Sequence, residues 1–353
     1  MKIKILTIHS IPNFGSVFQT YALSKFLKSQ GNNDVEIIDY RPSYFDPHSL
    51  RSLVAMFLNL RKYVTRKLKF NRFLTSNVKL TSCRYRTLKD LQSAKLSADL
   101  LIAGGDQLWN VYHECGRDDA YKLTFSDVRK ISYGTSMGQN GFTDKELADL
   151  AYKIKDFKSV SVRESSSVAQ LKKVGLDAVW SVDPVYLLSA GDYADFIKPV
   201  PHEKYLLVYL VTPSPLLDRT IDFLSKKYGL KVILCSGFSK KCKCDLFLND
   251  LGPEEILSYI KHADIVLSAS FHATSFSLIF EKQFFTILPD PNTNERIVDL
   301  LNTRQLSNRI ITEESLLETA LTDKIDYSMV APYDDFINDS KQYLRTAINE
   351  ISE

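Results

Sequence analysis

Short apolar runs alternate along this chain with segments whose apolar residues recur at helical spacing, and the alternation predicts an α/β protein. In the first half, strands are predicted at 2–8, 35–39, 98–103, 130–133 and 159–162, with a last one near 180–184. Between the first two, Phe18, Ala22 and Phe26, with Leu23 and Leu27, make an apolar helical face that Gly31 is placed to end. Thr143 and Glu146 form a capping box ahead of a helix carrying Leu147, Leu150, Ala151, Ile154 and Phe157. Another helix carries Val168, Leu171 and Val174 and stops at Gly175. The second half repeats the scheme, with strands at 204–211, 231–235, 264–267 and 284–288. Helical patterns near 215–228, 253–262 and 272–281 separate them, the middle one opening on Gly252 and Pro253. Phe336, Ile337, Leu344, Ile348 and Ile351 mark a C-terminal helix. A chain of 353 residues exceeds one ordinary core and fits two. The expected division is one α/β domain over 1–186, a second over 187–330, and a closing helix over 331–353 that packs back on the first.

In a parallel α/β sheet, ligands bind where strands end and helices begin, because the next helix presents free N–H groups and the positive end of its dipole. Residues 264–284 are the richest such junction. A buried strand, a polar turn and an apolar helix follow one another, with His272 at the turn and the hydroxyls of Ser268, Ser270, Thr274, Ser275 and Ser277 around it. Together they suit a phosphate or a carboxylate, and a plain capping role for His272 stands as an equal alternative. The loop IPNFGS (11–16) aims backbone N–H groups and Asn13 at a ligand and lacks the G-x-G-x-x-G dinucleotide fingerprint. The run GGDQLWN (104–110) leaves another strand. Its glycines let the backbone approach a ligand, and Asp106, Gln107 and Asn110 offer both hydrogen-bond signs to sugar hydroxyls. Trp109 is either a platform for a sugar ring or, as is commoner for Trp, part of the core. Arg163 stands where a strand meets a helix start, placed for paired hydrogen bonds to a carboxylate or phosphate, with an ion pair to Glu164 or another acid as the alternative. Arg296 lies in the first turn of a helix, a poor place for a cation on dipole grounds, which points to an anion partner.

Composition and charge narrow the class. With 44% hydrophobic and 25% charged residues the chain is globular rather than disordered or fibrous. The formal net charge of +3 is modest, yet residues 51–90 hold 11 Lys or Arg against one acid, Asp90. Within an insertion over 43–97 of the first domain, Leu50, Leu53, Val54, Phe57, Val64 and Leu68 share one helical face and leave Arg61, Lys62, Arg66, Lys69 and Arg72 to others. Such a helix suits an anionic membrane surface or a lipid diphosphate; a helical subdomain with a solvated basic face is equally in keeping with it. No nucleic-acid motif accompanies the charge, so nucleic acid is not an expected partner. Five cysteines, of which only Cys242 and Cys244 lie close, argue against a disulfide framework and against a zinc site, and no metal is expected. No apolar run reaches the roughly 18 residues of a membrane span, and MKIKILTIHS reads as a strand rather than a signal peptide. A cytoplasmic location is expected, with peripheral contact at the inner membrane face left open.

Together the motifs resemble those of the polysaccharide pyruvyl transferase family. NFGSVFQTYAL (13–23) is similar to the family's N-aromatic-G-x-x-x-Q-x-Y-A-L pattern, and GGDQLWN (104–110) to its G-S-D-Q-x-W-N. SVRESSSVAQL (161–171), VDP (182–184) and SFHATSFSLIFEKQF (270–284) are similar to its later signatures. Gly105, Ala273 and Gln283 stand where the family usually has Ser, Gly and Pro. The resemblance covers nearly the whole chain. It implies two Rossmann-like domains facing a cleft, similar to B-type glycosyltransferases, with the acceptor on the first domain and the donor on the second. It further implies transfer of pyruvate from phosphoenolpyruvate onto two hydroxyls of a sugar, forming a cyclic ketal and releasing phosphate. The acceptor would belong to a bacterial surface polysaccharide, capsule or exopolysaccharide, or to its lipid-linked precursor. The family's functional Arg and His fall on Arg163 and His272, and chemistry adds Asp106, giving a catalytic set of His272 as proton donor, Arg163, and Asp106 as base or orienting group. Donor-binding residues are then Arg163, Ser270, His272, Thr274, Ser275 and, on chemical grounds, Arg296. Acceptor-binding residues are Asn13, Gly15, Asp106, Gln107, Trp109 and Asn110. The reaction calls for no cofactor beyond phosphoenolpyruvate as donor substrate. A nucleotide-sugar glycosyltransferase of the same shape and a non-catalytic saccharide-binding protein are the alternatives.

Overall fold

The computed structural model describes residues 1–46, 59–138, 142–201, 204–237, 240–288, 294–312 and 323–352. They form two compact units, one within Met1–Ser49, Leu74–Leu188 and Tyr333–Glu353, the other within Leu50–Phe73 and Ser189–Pro332.

The first unit is built on β1 (Lys2–Leu6), β2 (Asp34–Tyr40), β3 (Leu80–Tyr85), β4 (Leu100–Gly104) and β5 (Lys130–Tyr133), a parallel sheet in the order β3-β2-β1-β4-β5. Helix α1 (Phe14–Ser29) joins β1 to β2, and α2 (Leu60–Asn77) precedes β3. Then α3 (Leu88–Ala94) leads into β4, and α4 (Glu114–Arg117) lies between β4 and β5. Register is set by apolar rows: Ile5 lies opposite Ile37 on one side and Ile102 on the other, all fully buried. Strand β4, LLIAG, is buried along its length, as a central parallel strand covered on both faces must be. After α5 (Asp144–Ile154), β6 (Ser161–Val162) and β7 (Val179–Trp180) flank α6 (Ser165–Lys173) and extend the sheet through bridges from Ile131 to Ser159 and Thr135 to Val162. Strand order reverses between β1 and β4, and the carboxyl ends of strands at such a point form a ligand-binding crevice.

The second unit repeats the design. Strands β8 (Tyr205–Tyr209), β9 (Lys231–Cys235), β10 (Leu246–Leu248), β11 (Ile265–Ser268), β12 (Gln283–Ile287) and β13 (Ile310–Ile311) form a parallel sheet, β10-β9-β8-β11-β12-β13. Helices α7 (Pro215–Tyr228), α8 (Pro253–His262), α9 (Phe271–Ile279) and α10 (Glu295–Thr303) connect them. Here the reversal falls between β8 and β11, so α9 begins at it. The last helix, α11 (Asp334–Ser352), belongs to the first unit. Its Ser340 Oγ accepts from Val182 N at 3.0 Å, Tyr343 Oη donates to Ser132 O at 2.9 Å, and Phe336 lies 4.6 Å from the Trp180 ring.

The basic stretch over 43–97 is not a single helical insertion in the first half. It contributes β3 to that half's sheet, while α2 clusters with the second unit as far as Phe73. The reason is packing: Phe73 meets Phe196 at 5.2 Å between ring centroids, and Lys69 Nζ pairs with Glu255 at 2.7 Å. Of the residues expected on its apolar face, Leu50, Leu53, Val54 and Phe57 lie outside the described residues. Val64 and Leu68 do share a face, but it points to solvent, and the buried side of the helix is Phe70, Phe73 and Leu74.

Candidate functional site

The strand exits of the first unit are tied together by the residues of the sequence motifs. Asp106 follows β4, Ser136 and Met137 follow β5, Arg163 and Glu164 follow β6, and Asp183 follows β7. Arg163 is 4% exposed, and its Nη1 donates to Asp183 Oδ2 and its Nη2 to Asp106 Oδ1, each at 2.5 Å. Burial alone pushes the Arg163 pKa down, but Asp106, Asp183 and Glu164 together more than offset this and raise it. Glu164, fully buried, accepts from Ser136 Oγ at 2.5 Å and from Met137 N at 3.1 Å. Asp183 Oδ1 caps the turn at Pro184–Leu187 by accepting from Val185 N at 3.0 Å. Arg163 was expected to hold a substrate carboxylate or phosphate. One guanidinium facing three carboxyl groups leaves no surplus positive charge for that, and the geometry makes Arg163 the residue that orients Asp106.

The loop after β4 carries the other acceptor candidates. Asp106 keeps a partly exposed side chain, 14%, while its N–H donates to Gln19 Oε1 at 3.0 Å. Gly105 has φ +128°, a conformation that favours glycine, and a Cβ there would lie 2.6 Å from Gln19 Nε2 and 2.7 Å from Thr7 Oγ1, so a side chain at this position needs those two to shift. Trp109 is no sugar platform: it is fully buried, its Nε1 donates to Tyr121 O at 3.0 Å, and its ring packs edge-on to Phe157. Asn110 is buried too and works inside the loop, donating to Gln107 Oε1 at 2.5 Å and accepting from Tyr112 N at 3.0 Å. Asn13 caps α1 by accepting from Ser16 N at 3.2 Å, and Gly15 is buried in the helix's first turn. Asp106 is therefore the acceptor-side candidate with an accessible carboxylate.

Sequence reasoning passed over a cluster at the ends of β1 and β2. His9 is buried, with Nε2 3.0 Å from Asp39 Oδ1 and Nδ1 3.1 Å from Thr7 O. Arg41 Nε and Arg84 Nε donate to the same carboxylate at 2.5 and 3.3 Å. Burial pushes the Asp39 carboxyl up, but hydrogen bonds from His9 and Arg41 win and hold it well below the usual carboxylate range. The signal was present: a His and an Asp at the carboxyl ends of the first two strands.

In the second unit, α9 starts at the strand reversal with Ser270 as its cap, the hydroxyl accepting from Ala273 N at 3.4 Å. His272 occupies the first turn and is buried. Its ring meets that of Phe271 edge-on at 5.3 Å, and the Arg296 guanidinium of α10 lies over the same Phe271 ring, 5.7 Å from its centre. Phe271 thus gathers His272 and Arg296 beside a helix N-terminus, and this contact accounts for an arginine in the first turn of α10. Several hydroxyls are engaged elsewhere. Thr274 Oγ1 bonds Thr286 Oγ1 at 3.1 Å, Ser277 donates to Ala273 O at 2.8 Å, Ser268 donates to Tyr209 O at 2.8 Å, and Ser275 is fully buried. Among the described residues, no cluster of three or more His, Cys, Asp or Glu side chains is arranged to hold a metal ion, and no helix is long and apolar enough to cross a membrane.

A sequence profile described as polysaccharide pyruvyl transferase matches residues 13–291. The chain belongs to the polysaccharide pyruvyl transferase family. The match spans Asp106, Arg163, Asp183 and His272, the first three of which are joined by the Arg163 ion pairs, and it makes this pyruvyl transferase an enzyme. No curated protein matches its sequence. Among solved structures, the UDP-GlcNAc 2-epimerase from Methanocaldococcus jannaschii is similar with a TM-score of 0.55 at 13% identity, over 92% of this chain and 93% of its own. UDP-GlcNAc 2-epimerase from Neisseria meningitidis, bound to UDP-GlcNAc, gives a TM-score of 0.56 at 10% identity over 99% and 100%. At these identities the likeness is one of fold. It agrees with the expected α/β class of two Rossmann-like halves similar to B-type glycosyltransferases.

Proposed function

We propose that this pyruvyl transferase moves pyruvate from phosphoenolpyruvate onto two hydroxyls of one sugar in a surface polysaccharide or its lipid-linked precursor. The product is a cyclic ketal, and phosphate is released. The observation that carries the reading is the grouping of His272 and Arg296 around Phe271 at the start of α9, within a chain matched by the family profile. On this reading Arg296 and the N–H groups of α9 hold the donor's anionic groups, since a guanidinium and a helix N-terminus both favour negative charge. His272 gives a proton to C3 of the enol, which makes C2 electrophilic. A sugar hydroxyl adds to C2 and gives up its proton; the phosphate then leaves, and the second hydroxyl closes the ring on C2. Of the two hydroxyl protons, one replaces the proton given to C3 and the other departs with phosphate.

The test is phosphate release from phosphoenolpyruvate in the presence of a galactoside, with mass spectrometry of the sugar. The expected result is one ketal formed per phosphate released. The two structural neighbours named above are UDP-GlcNAc 2-epimerases, so UDP-sugars belong in the same assay. Turnover supported by a UDP-sugar alone overturns the proposal in favour of glycosyl transfer, and saccharide binding without turnover from any donor reduces the protein to a binding module.

A further inference from the structure

Helix α2 has two unlike faces. One is buried through Phe70, Phe73 and Leu74 and is fastened by the Lys69 to Glu255 ion pair. The opposite face carries Leu60, Val64 and Leu68, which are 47%, 42% and 62% exposed. Spaced four residues apart, they lie in a line about 12 Å long. Single exposed apolar residues are ordinary on a protein surface, but a row of three is not. Beside the row stand Arg61, Lys67 and Arg72, all exposed, and the helix contains no acid.

A soluble polyanion would engage the cations and leave the apolar row in water. A lipid bilayer engages both, because headgroup phosphates meet the basic side chains while Leu and Val enter the boundary with the acyl chains. We infer that this face of α2 docks on a bilayer rich in anionic lipid. None of these side chains has a part in the chemistry proposed above, so the inference stands or falls separately from it.

The experiment is sedimentation of the full chain with vesicles of phosphatidylcholine alone, or of phosphatidylcholine mixed with phosphatidylglycerol, at low and high salt. The chain is expected to sediment with the mixed vesicles at low salt, to be released by high salt, and to ignore phosphatidylcholine. Each cation at such a surface contributes about fivefold, so Arg61→Gln, Lys67→Gln and Arg72→Gln together should weaken binding about a hundredfold. Arg61→Lys, Lys67→Arg and Arg72→Lys together should keep it, which separates loss of charge from loss of fold. Val64→Ser with Leu68→Ser should also weaken binding without moving the thermal midpoint. Failure to bind mixed vesicles at low salt, or equal binding to both vesicle types, overturns the inference. So does a charge dependence with no effect of Val64→Ser and Leu68→Ser, since the face would then be a general patch for polyanions.

Discussion

Arg163 holds Asp106 and Asp183 from inside the first unit, so its removal is expected to cost more in folding than in donor binding. Arg163→Ala would leave both carboxylates without their cation, and breaking a buried pair in this way typically costs about 3–5 kcal/mol. Urea denaturation of the variant measures it; a stability within about 1 kcal/mol of the parent would show the network to be incidental. The second unit should behave in the opposite way. His272→Ala is expected to lower kcat for phosphate release by roughly 10²- to 10⁴-fold, the usual contribution of a positioned acid. Arg296→Ala should chiefly raise KM for phosphoenolpyruvate, at a stability cost of only about 0.5–1 kcal/mol for its contact with Phe271. Steady-state kinetics separates the two, and an unchanged KM removes Arg296 from the donor site. The sequence named Asp106, Arg163, His272 and Arg296 through their motifs or positions. It could not tell that Arg163 spends its hydrogen bonds on Asp106, because the two are 57 residues apart and nothing local records the distance. Trp109 was legible only as a choice between sugar and core, and Phe157 and Tyr121 decide it.

At the scale of elements, legibility followed burial. Central strands such as β4 and β8 read directly from their apolar runs, α7 from its periodicity, and α8 from its periodicity and its opening Gly252 and Pro253. Strand β3 did not: its Ser82, Cys83 and Arg84 are exposed, and an edge strand of that composition looks like loop or helix surface. The short strands β10 and β13 carry too few residues for a pattern. Where β1 and β2 end, the Asp39 cluster makes a prediction about acid. The folded pKa of Asp39 lies below its unfolded value, which for Asp is about 3.9. Its stabilising contribution is therefore fully present above the unfolded value and is lost as pH falls through the folded one. Urea midpoints measured downward from pH 5 should fall more steeply for the parent than for Asp39→Asn, which has no carboxylate to protonate. Parallel curves would mean that His9 and Arg41 hold the position without favouring its charge.

The whole molecule is interleaved in sequence: the first unit is completed by α11 only after the chain has built the second. Two α/β halves were legible from length and from the repeated strand and helix pattern, whereas the allegiance of α2 depends on Phe73 finding Phe196, a contact no local pattern encodes. The closing helix supplies a clean way to perturb one unit. Leu344 is fully buried in α11, and Tyr343, Arg345 and Phe336 of the same helix reach Ser132, Gln30 and Trp180. Leu344→Ala removes buried apolar volume and is expected to cost about 2–5 kcal/mol. Both tryptophans of the chain, Trp109 and Trp180, lie in the first unit, so tryptophan emission reports that unit, while far-ultraviolet circular dichroism reports both. In Leu344→Ala the emission-detected urea midpoint should move down, and the dichroism curve should split, retaining a component at the parent's midpoint from the second unit. An equal shift in both signals would show instead that the units unfold as one cooperative body, and an unmoved emission midpoint would show that α11 contributes nothing to the unit it completes.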